Sequence, residues 1–354
     1  MDRGGSDPAV ELRAWLIEQG ADPDAADPLA HRAAGFGSDL VLGRDSVLSA
    51  RDLAEQSGLP LGKVVAIFHD LGVAVPDLDA PQFSEVDARF VRSIFQAGDL
   101  GSGVGITQGD ALLRVVAGAM ERIAEAAVAV YVQGPEEQLS RRWATVLDCA
   151  SANLQATQLA LEFSEGFGAV FRHHMRQAVA RQRVIQEGVT SRDLARVAIG
   201  FVDLVGSTAL QAGLDPAALG AQVSRFEARA FNVIAAGGGR LVKFIGDEIM
   251  VAAVDPAAGV RIVGDLVEAF TEDGTQPRGG LVYGEVLFRH GDYYGPMVNL
   301  SARLVDAAIP GEALVDRSVV EALKDDDLVF DPAGRRMLKG FDEPVAVWSL
   351  APRG

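Results

Sequence analysis

A single cysteine, Cys149, excludes an intramolecular disulfide and a thiolate metal cluster. Nowhere does the chain approach the run of about 18 apolar residues that a bilayer-spanning helix needs. Its first residues, MDRGGSDPAVELRAW, lack the basic-then-apolar order of an export signal, so the expected location is the cytoplasm. A surplus of positive charge is missing too: 32 Lys and Arg face 49 Asp and Glu, a formal net charge of −17. The deficit is shared, with 16 basic and 26 acidic groups in residues 1–190 and 16 and 23 in residues 191–354. Neither half offers the basic face that nucleic acid or an anionic membrane requires, and neither is an expected partner. Internal repeats and low-complexity tracts are absent as well. What remains is 49% apolar residues in a chain of 354, enough for a folded core and too long for a single one. Two domains are expected.

The first half reads as helix. Leu12, Trp15 and Leu16 make a helical stripe stopped by Gly20, and Ser49–Leu71 reads as helix, Gly-containing turn, helix. Longer helical patterns follow over 84–97, 107–133, 138–163 and 164–190, and strand signals are lacking. Residues 1–165 are therefore expected to form an all-helical domain, with 166–190 a helical connector carrying His173 and His174. The pattern changes near residue 195. Val197–Val205 is a short β-branched apolar run, the mark of a buried strand. A helix with Leu219, Val223, Phe226, Ala230 and Ile234 on one face follows, ended by three glycines. Two strands then flank Gly246-Asp247. A helix over 256–270, a strand over 279–289, a Gly291-Asp292 turn and a helix over 296–309 come next. Strands over 312–316, 327–332 and 344–350 close the chain. The order predicts an α+β domain over 191–354, with helices on one face of a mainly antiparallel sheet.

Two carboxylates stand out. Asp203 falls late in an otherwise apolar strand, where an unpaired charge is costly. Directly after it, Val205-Gly206-Ser207-Thr208 turns toward a helix whose opening N–H groups can face phosphate. Asp247 falls in the hairpin turn. Together they fit a sparse Mg²⁺ site completed by phosphate oxygens and water, and a two-ion site activates one oxygen and steadies another. Taken singly, Asp203 as a helix cap and Asp247 as a turn former account for them equally.

Their company decides the reading. Gly200-Phe201-Val202-Asp203-Leu204-Val205-Gly206-Ser207-Thr208 and Lys243-Phe244-Ile245-Gly246-Asp247-Glu248 resemble the metal-binding strand and hairpin of class III adenylyl cyclases. So does Gly291-Asp292-Tyr293-Tyr294-Gly295-Pro296 leading into Asn299-Leu300-Ser301-Ala302-Arg303, and Leu338–Val345 is similar to the family's C-terminal strand. The resemblance runs from Val197 to Leu350 in the family's order. It implies a ferredoxin-like palm that works as a head-to-tail homodimer. It implies Asp203 and Asp247 as ligands of two Mg²⁺ or Mn²⁺ ions, and Lys243 and Asp292 as readers of the purine. Asn299 and Arg303 are then the catalytic pair acting on ribose and phosphate. Each site takes both metal aspartates from one chain and the other four groups from its partner.

The chemistry of the base agrees. Adenine presents an acceptor at N1 and a donor at N6; an ammonium only donates and a carboxylate only accepts. Guanine presents the reverse, so ATP is the expected substrate and a guanylyl cyclase the disfavoured alternative. Asn299 and Arg303 lie four apart and share a helix face. A planar, permanently charged Arg suits charge building on phosphoryl oxygens, although an intrahelical pair with Asp306 would also explain it. No His is placed as a general base. Glu248 reads as structural, and Tyr293 and Tyr294 as shaping their loop. The helical half shows no catalytic constellation. In Ser49–Leu71 the basic Arg51 and Lys63 are outnumbered by Asp52, Glu55 and Asp70, against a DNA-reading helix pair. The half resembles the regulatory N-terminal domains of some soluble bacterial adenylyl cyclases, some of which respond to pH or fatty acids. His is the side-chain type suited to such sensing, which makes His173 and His174 of the connector the candidate groups, although two solvated histidines on a helix account for them as well. The run Ala124–Val132 is a candidate lining for a fatty acid or other small apolar ligand, and ordinary helix packing explains it equally well. A catalytically silent nucleotide or lipid sensor is the alternative from another class.

Overall fold

The computed structural model describes residues 7–23, 36–99, 106–133, 145–185, 193–205 and 213–350. It divides into two compact units, Met1–Arg172 and His173–Gly354.

The first unit is helical. α1 (Pro8–Glu18) opens on an Asp7 cap with Pro8 in its first turn, where a missing N–H costs nothing. It buries Leu12 and Leu16 with Ala150 of a later helix, α7 (Val146–Glu165). α2 (Phe36–Leu42), whose short run gave no periodic signal, packs on α7 as well. α3 (Ala50–Ser57) begins on a Ser49–Asp52 capping box and stops at Gly58 in the left-handed region. With α4 (Leu61–Asp70) and α5 (Glu85–Asp99) it encloses Leu53, Val64, Phe68 and Val91, so this helix pair is part of a bundle. α6 (Ile106–Ala127) continues as a π-helix, Val128–Gln133. Within the run proposed for an apolar pocket, residues 124–130 are exposed apart from half-buried Ala127. Among the described residues of this unit, the β pairing is an isolated Leu48–Phe83 bridge. The unit boundary falls inside α8 (Phe167–Ile185), on which His173 and His174 are exposed.

The second unit is built on one sheet. β1 (Leu194–Leu204) is followed by α9 (Pro216–Ala236), β2 (Arg240–Ile245), β3 (Glu248–Ala253), α10 (Pro256–Glu272) and β4 (Pro277–Arg289). Asp-Pro starts both helices, Asp215 and Asp255 capping with their carboxylates. β4 turns back into β5 (Asp292–Tyr294), and α11 (Pro296–Ala307), β6 (Ala313–Asp316), α12 (Arg317–Ala322), β7 (Phe330–Arg336) and β8 (Val345–Leu350) complete the chain. The strand order is β2-β3-β1-β4-β6-β8-β7, with β4–β6 parallel and the other pairs antiparallel. Its first four strands, with α9 and α10 as crossovers, form the βαββαβ arrangement of a ferredoxin-like palm.

The sequence pattern placed the helices on one face; the structure corrects this. Ala198, Val202, Ile249, Val251 and Leu281 point to a core roofed by α9 and α10. The alternate residues Ile199, Phe201, Met250 and Val282 point to a second core roofed by α11 through Leu300, Leu304 and Val305. β1 is apolar on both faces because both are covered. What lets α11 lie close is Gly280: a Cβ there would stand 2.5 Å from the Ser301 carbonyl oxygen and 2.8 Å from the Val305 nitrogen. Fully buried Ser301 fastens the contact, donating its hydroxyl to the carbonyls of Ile199 at 2.8 Å and Gly280 at 3.1 Å. No helix among the described residues is long and apolar enough to cross a membrane.

Candidate active site

The functional side chains gather on the α11 face of the sheet. Strand alternation sends Asp203 to the same side as Phe201. Register places it opposite Arg278 of β4, which donates from its Nη2 to Asp203 Oδ2 at 2.6 Å. One step beyond the Val202–Ile249 pair, Glu248 stands on the other flank of Asp203. Asp247 lies beside it in the two-residue β2–β3 turn. Gly246, with φ +66°, takes the first turn position, and Asp247 has a negative φ, the pattern of a type II′ turn. The result is a row of charge across three strands, two carboxylates and a guanidinium, with Asp247 at its end.

Glu248 reports how crowded that row is. Burial, followed by the charges of Asp203, Asp306 and Asp247, pushes its carboxyl up to about 7, against the opposing pull of Arg278. Two of these neighbours have a cation of their own, Asp203 in Arg278 and Asp306 in Arg303, so what remains is the crowding of Glu248 against Asp203 and Asp247 at one corner of the sheet. A divalent cation between Asp203 and Asp247 would relieve that crowding. Among the described residues, no three His, Cys, Asp or Glu are grouped to hold a metal by protein ligands alone. A Mg²⁺ site needs only one or two carboxylates when phosphate and water supply the remaining oxygens. The donor set fits that ion. The buried Arg278 Nε also finds no hydrogen-bond partner among the described residues.

A second cluster joins β2 to the β4–β5 hairpin. Lys243 Nζ donates to Asp292 Oδ2 at 2.5 Å, and Asp292 Oδ1 accepts from the Tyr293 N–H at 2.8 Å. The turn is His290-Gly291, not Gly291-Asp292 as the sequence suggested. Arg289 pairs with Asp292, so Asp292 already belongs to β5. Both turn residues have positive φ, 54° and 77°, as a type I′ turn demands. A non-glycine residue at the first position hid the turn from the sequence pattern. Tyr293 is buried against Phe288, ring centroids 5.0 Å apart, and shapes the hairpin as expected.

The third pair rides on α11. Asn299 is exposed, and Arg303, one turn on, donates to Asp306 at 2.7 Å. That is the intrahelical partner its spacing allowed. An exposed i,i+3 pair of this kind is worth about 0–1 kcal/mol, so it is easily broken. Of the six expected residues, hydrogen bonds join Lys243 to Asp292 directly and hold Asp203 and Arg303 through other side chains. Among the described residues Lys243 bonds to Asp292, Arg303 to Asp306, and Asp203 to Arg278. The segment 206–212, including the expected phosphate-facing Gly206-Ser207-Thr208, lies outside the described residues. Sequence reading missed Arg278, whose partner is 75 positions away, and Arg240, which bonds to Gly291, 51 positions away.

No family model matches the chain. An uncharacterized protein of Mycobacterium tuberculosis is 36% identical to it, over 90% of this chain and 83% of that one. An adenylate cyclase of Streptomyces coelicolor is 32% identical over 86% of this chain and 77% of its own length. A pH-sensitive adenylate cyclase of M. tuberculosis is 30% identical over 99% of this chain and 90% of that protein. These likenesses run through the helical half as well as the palm, and they coincide with a βαββαβ sheet carrying paired aspartates at its strand ends. The chain therefore belongs to the class III adenylyl cyclases.

Proposed function

We propose that the protein converts ATP to 3′,5′-cyclic AMP and pyrophosphate at sites shared between two copies of the chain, under the control of its N-terminal half. The Lys243–Asp292 pair carries the choice of base. The ammonium and the carboxylate stand side by side, one a pure donor and the other a pure acceptor, the complement of adenine N1 and N6. Guanine would leave both groups facing their own kind, and unpaired buried polar groups are what reject a near-isostere strongly.

Asp203 and Asp247 would hold the Mg²⁺ or Mn²⁺ ions. Such ions, when bound, favour loss of the ribose 3′-OH proton and neutralise charge on the phosphates. The chain's own groups do the rest. Asn299 orients the ribose from the exposed face of α11. Arg303 leaves Asp306 and meets the charge that grows on the α-phosphoryl oxygens. Arg278 holds Asp203 by one oxygen, so that carboxylate is fixed before substrate arrives. Phosphoryl transfer needs little more than such positioning and charge.

Support for pairing comes from exposed apolar side chains: Val170, Phe171, Met175 and Val179 on α8, and Phe231 and Ile245 in the palm. On α8, Phe171, Met175 and Val179 recur every fourth residue, the spacing of one helix face that a second copy could cover. Control by the helical half is supported by a relative named as pH-sensitive whose likeness spans 99% of this chain. The test is direct. Purified full-length protein is incubated with ATP or GTP and with Mg²⁺ or Mn²⁺, and the product is identified by mass. Cyclic AMP from ATP, well ahead of cyclic GMP from GTP and dependent on the ion, is the expected result. Cyclic GMP as the main product, or no cyclic nucleotide under any condition, contradicts the proposal.

A further inference from the structure

Arg240 is the first residue of β2, three positions before Lys243. In a regular strand, residues three apart point to opposite faces. Here the register shifts between Leu241 and Lys243: Arg240 pairs with Ala252, while Lys243 pairs with Met250. Ala252 and Met250 are two apart and belong to the same core, so the bulge brings Arg240 and Lys243 to one side of the sheet. On that side lies the β4–β5 hairpin, and Arg240 holds it in three ways. Its Nη2 donates to the Gly291 carbonyl at the tip of the turn. Its guanidinium lies 5.8 Å from the centroid of the Phe288 ring and 5.5 Å from that of Tyr293. These groups bracket Asp292: Gly291 precedes it, and Tyr293 follows it and donates its N–H to Asp292 Oδ1.

Asp292 needs such help. It sits beside a two-residue turn in a strand of three residues, while Lys243 sits on a different part of the sheet. The β4–β5 ladder and the buried Tyr293 ring hold the hairpin's own shape, and Arg240 adds a link from the tip of the turn to β2, the strand that carries Lys243. We propose that Arg240 is a positioning residue for base recognition: by clamping the hairpin tip to β2 it sets Asp292 against Lys243 and so sustains discrimination between ATP and GTP. The clamp acts on the backbone and rings around Asp292 and takes up neither the Lys243 ammonium nor the Asp292 carboxylate, which bond to each other. The inference rests on the reading of Lys243 and Asp292 as the purine-contacting pair.

The experiment measures kcat and KM with ATP and with GTP for the full chain, for Arg240→Ala, Arg240→Lys, Asp292→Ala, and the double variant Arg240→Ala with Asp292→Ala. Melting temperatures are recorded alongside. Misplacing a recognition group by about 1 Å costs roughly a hundredfold, so Arg240→Ala should lower kcat/KM for ATP by up to about that factor, chiefly through KM. The ATP-to-GTP ratio should shrink with it. Arg240→Lys keeps the charge over the rings but loses the planar fork, and should fall between. The double variant should have the same ratio as Asp292→Ala alone, because Arg240 acts through Asp292. If Asp292→Ala narrows the ratio and neither Arg240 variant does, Arg240 only stabilises the hairpin and the proposal fails while base reading stands. If none of the variants moves the ratio, base reading by this pair is wrong and the proposal falls with it. Should Arg240→Ala not fold, Arg240→Lys against Asp292→Ala decides the matter by the same comparison.

Discussion

Replacing Gly280 by alanine tests whether the packing of α11 governs catalysis. The added Cβ would lie 2.5 Å from Ser301 O, 2.8 Å from Val305 N and 2.9 Å from Leu304 Cβ. Two of the three are backbone atoms, which cannot swing aside as a side-chain tip does. To regain ordinary contact the helix must retreat by about 1 Å. Overpacking of this kind costs about 1–3 kcal/mol. The retreat also stretches the two hydrogen bonds of buried Ser301, a further loss of about 1 kcal/mol. For a unit of this size each kcal/mol lowers the melting temperature by about 2–4 °C, so a drop of roughly 4–16 °C is expected. Asn299 and Arg303 flank Ser301 and move with it, and a displacement of about 1 Å at a reacting centre costs about a hundredfold. The loss should fall mainly on kcat, since the role proposed for Arg303 is to meet charge that grows during the reaction. Denaturant unfolding and steady-state cyclase assays read both effects. Gly264→Ala is the control: its Cβ would meet only the end of the Leu350 side chain, 2.9 Å away and on the α10 face. If Gly280→Ala unfolds within about 1 kcal/mol of the parent and turns over within twofold of it, the close approach is not what holds Asn299 and Arg303, and the reasoning is wrong.

Other outcomes follow from the same geometry. In metal-free protein Glu248, raised from 4.5 to about 7, binds more protons folded than unfolded between those values. Its contribution is therefore fully present below the unfolded value and is lost as pH rises toward 7, a decline on the order of 1–3 kcal/mol. Glu248→Gln should flatten that stretch of the stability–pH curve, as measured by denaturant unfolding in a chelator; an unchanged slope refutes the assignment. Asp247→Ala should abolish cyclisation while the far-ultraviolet circular dichroism stays native, and near-normal turnover with Mg²⁺ would sink the metal assignment. A truncated protein beginning near Arg192 should differ from the full chain in activity and in pH profile, and identity on both counts would argue against control by the helical half.

Much of the palm was legible because its signals are local. β1 shows as an apolar run, the β2–β3 hairpin as a Gly-Asp turn between two strands, and Asn299 and Arg303 as neighbours on one helix face. The helical half was legible for the same reason, through the Gly-containing turn within Ser49–Leu71 and the Leu12–Leu16 stripe. Non-local features were hidden. That α11 covers the second face depends on Gly280 and Ser301 meeting across 21 residues, and the Arg278 contact with Asp203 depends on register between β1 and β4. The His290-Gly291 turn was displaced by one residue in the sequence reading because His seldom adopts positive φ. The bulge before Lys243 is invisible to periodicity, and Arg240 went unremarked with it. α12, six residues long, is too short to announce itself.

The central claim, a cyclase whose site is completed by a second copy of the chain, is tested most directly by mixing two inactive proteins. Asp203→Ala removes a group that one chain supplies to each site, and Arg303→Ala removes a group that its partner supplies. Each homodimer should be inactive. In a mixed dimer one site carries both lesions and the other carries neither. After subunit exchange, shown independently with differently tagged chains, random pairing makes about half the dimers mixed, and activity should approach roughly a quarter of the parent enzyme's. Exchange with activity still at background would contradict the account.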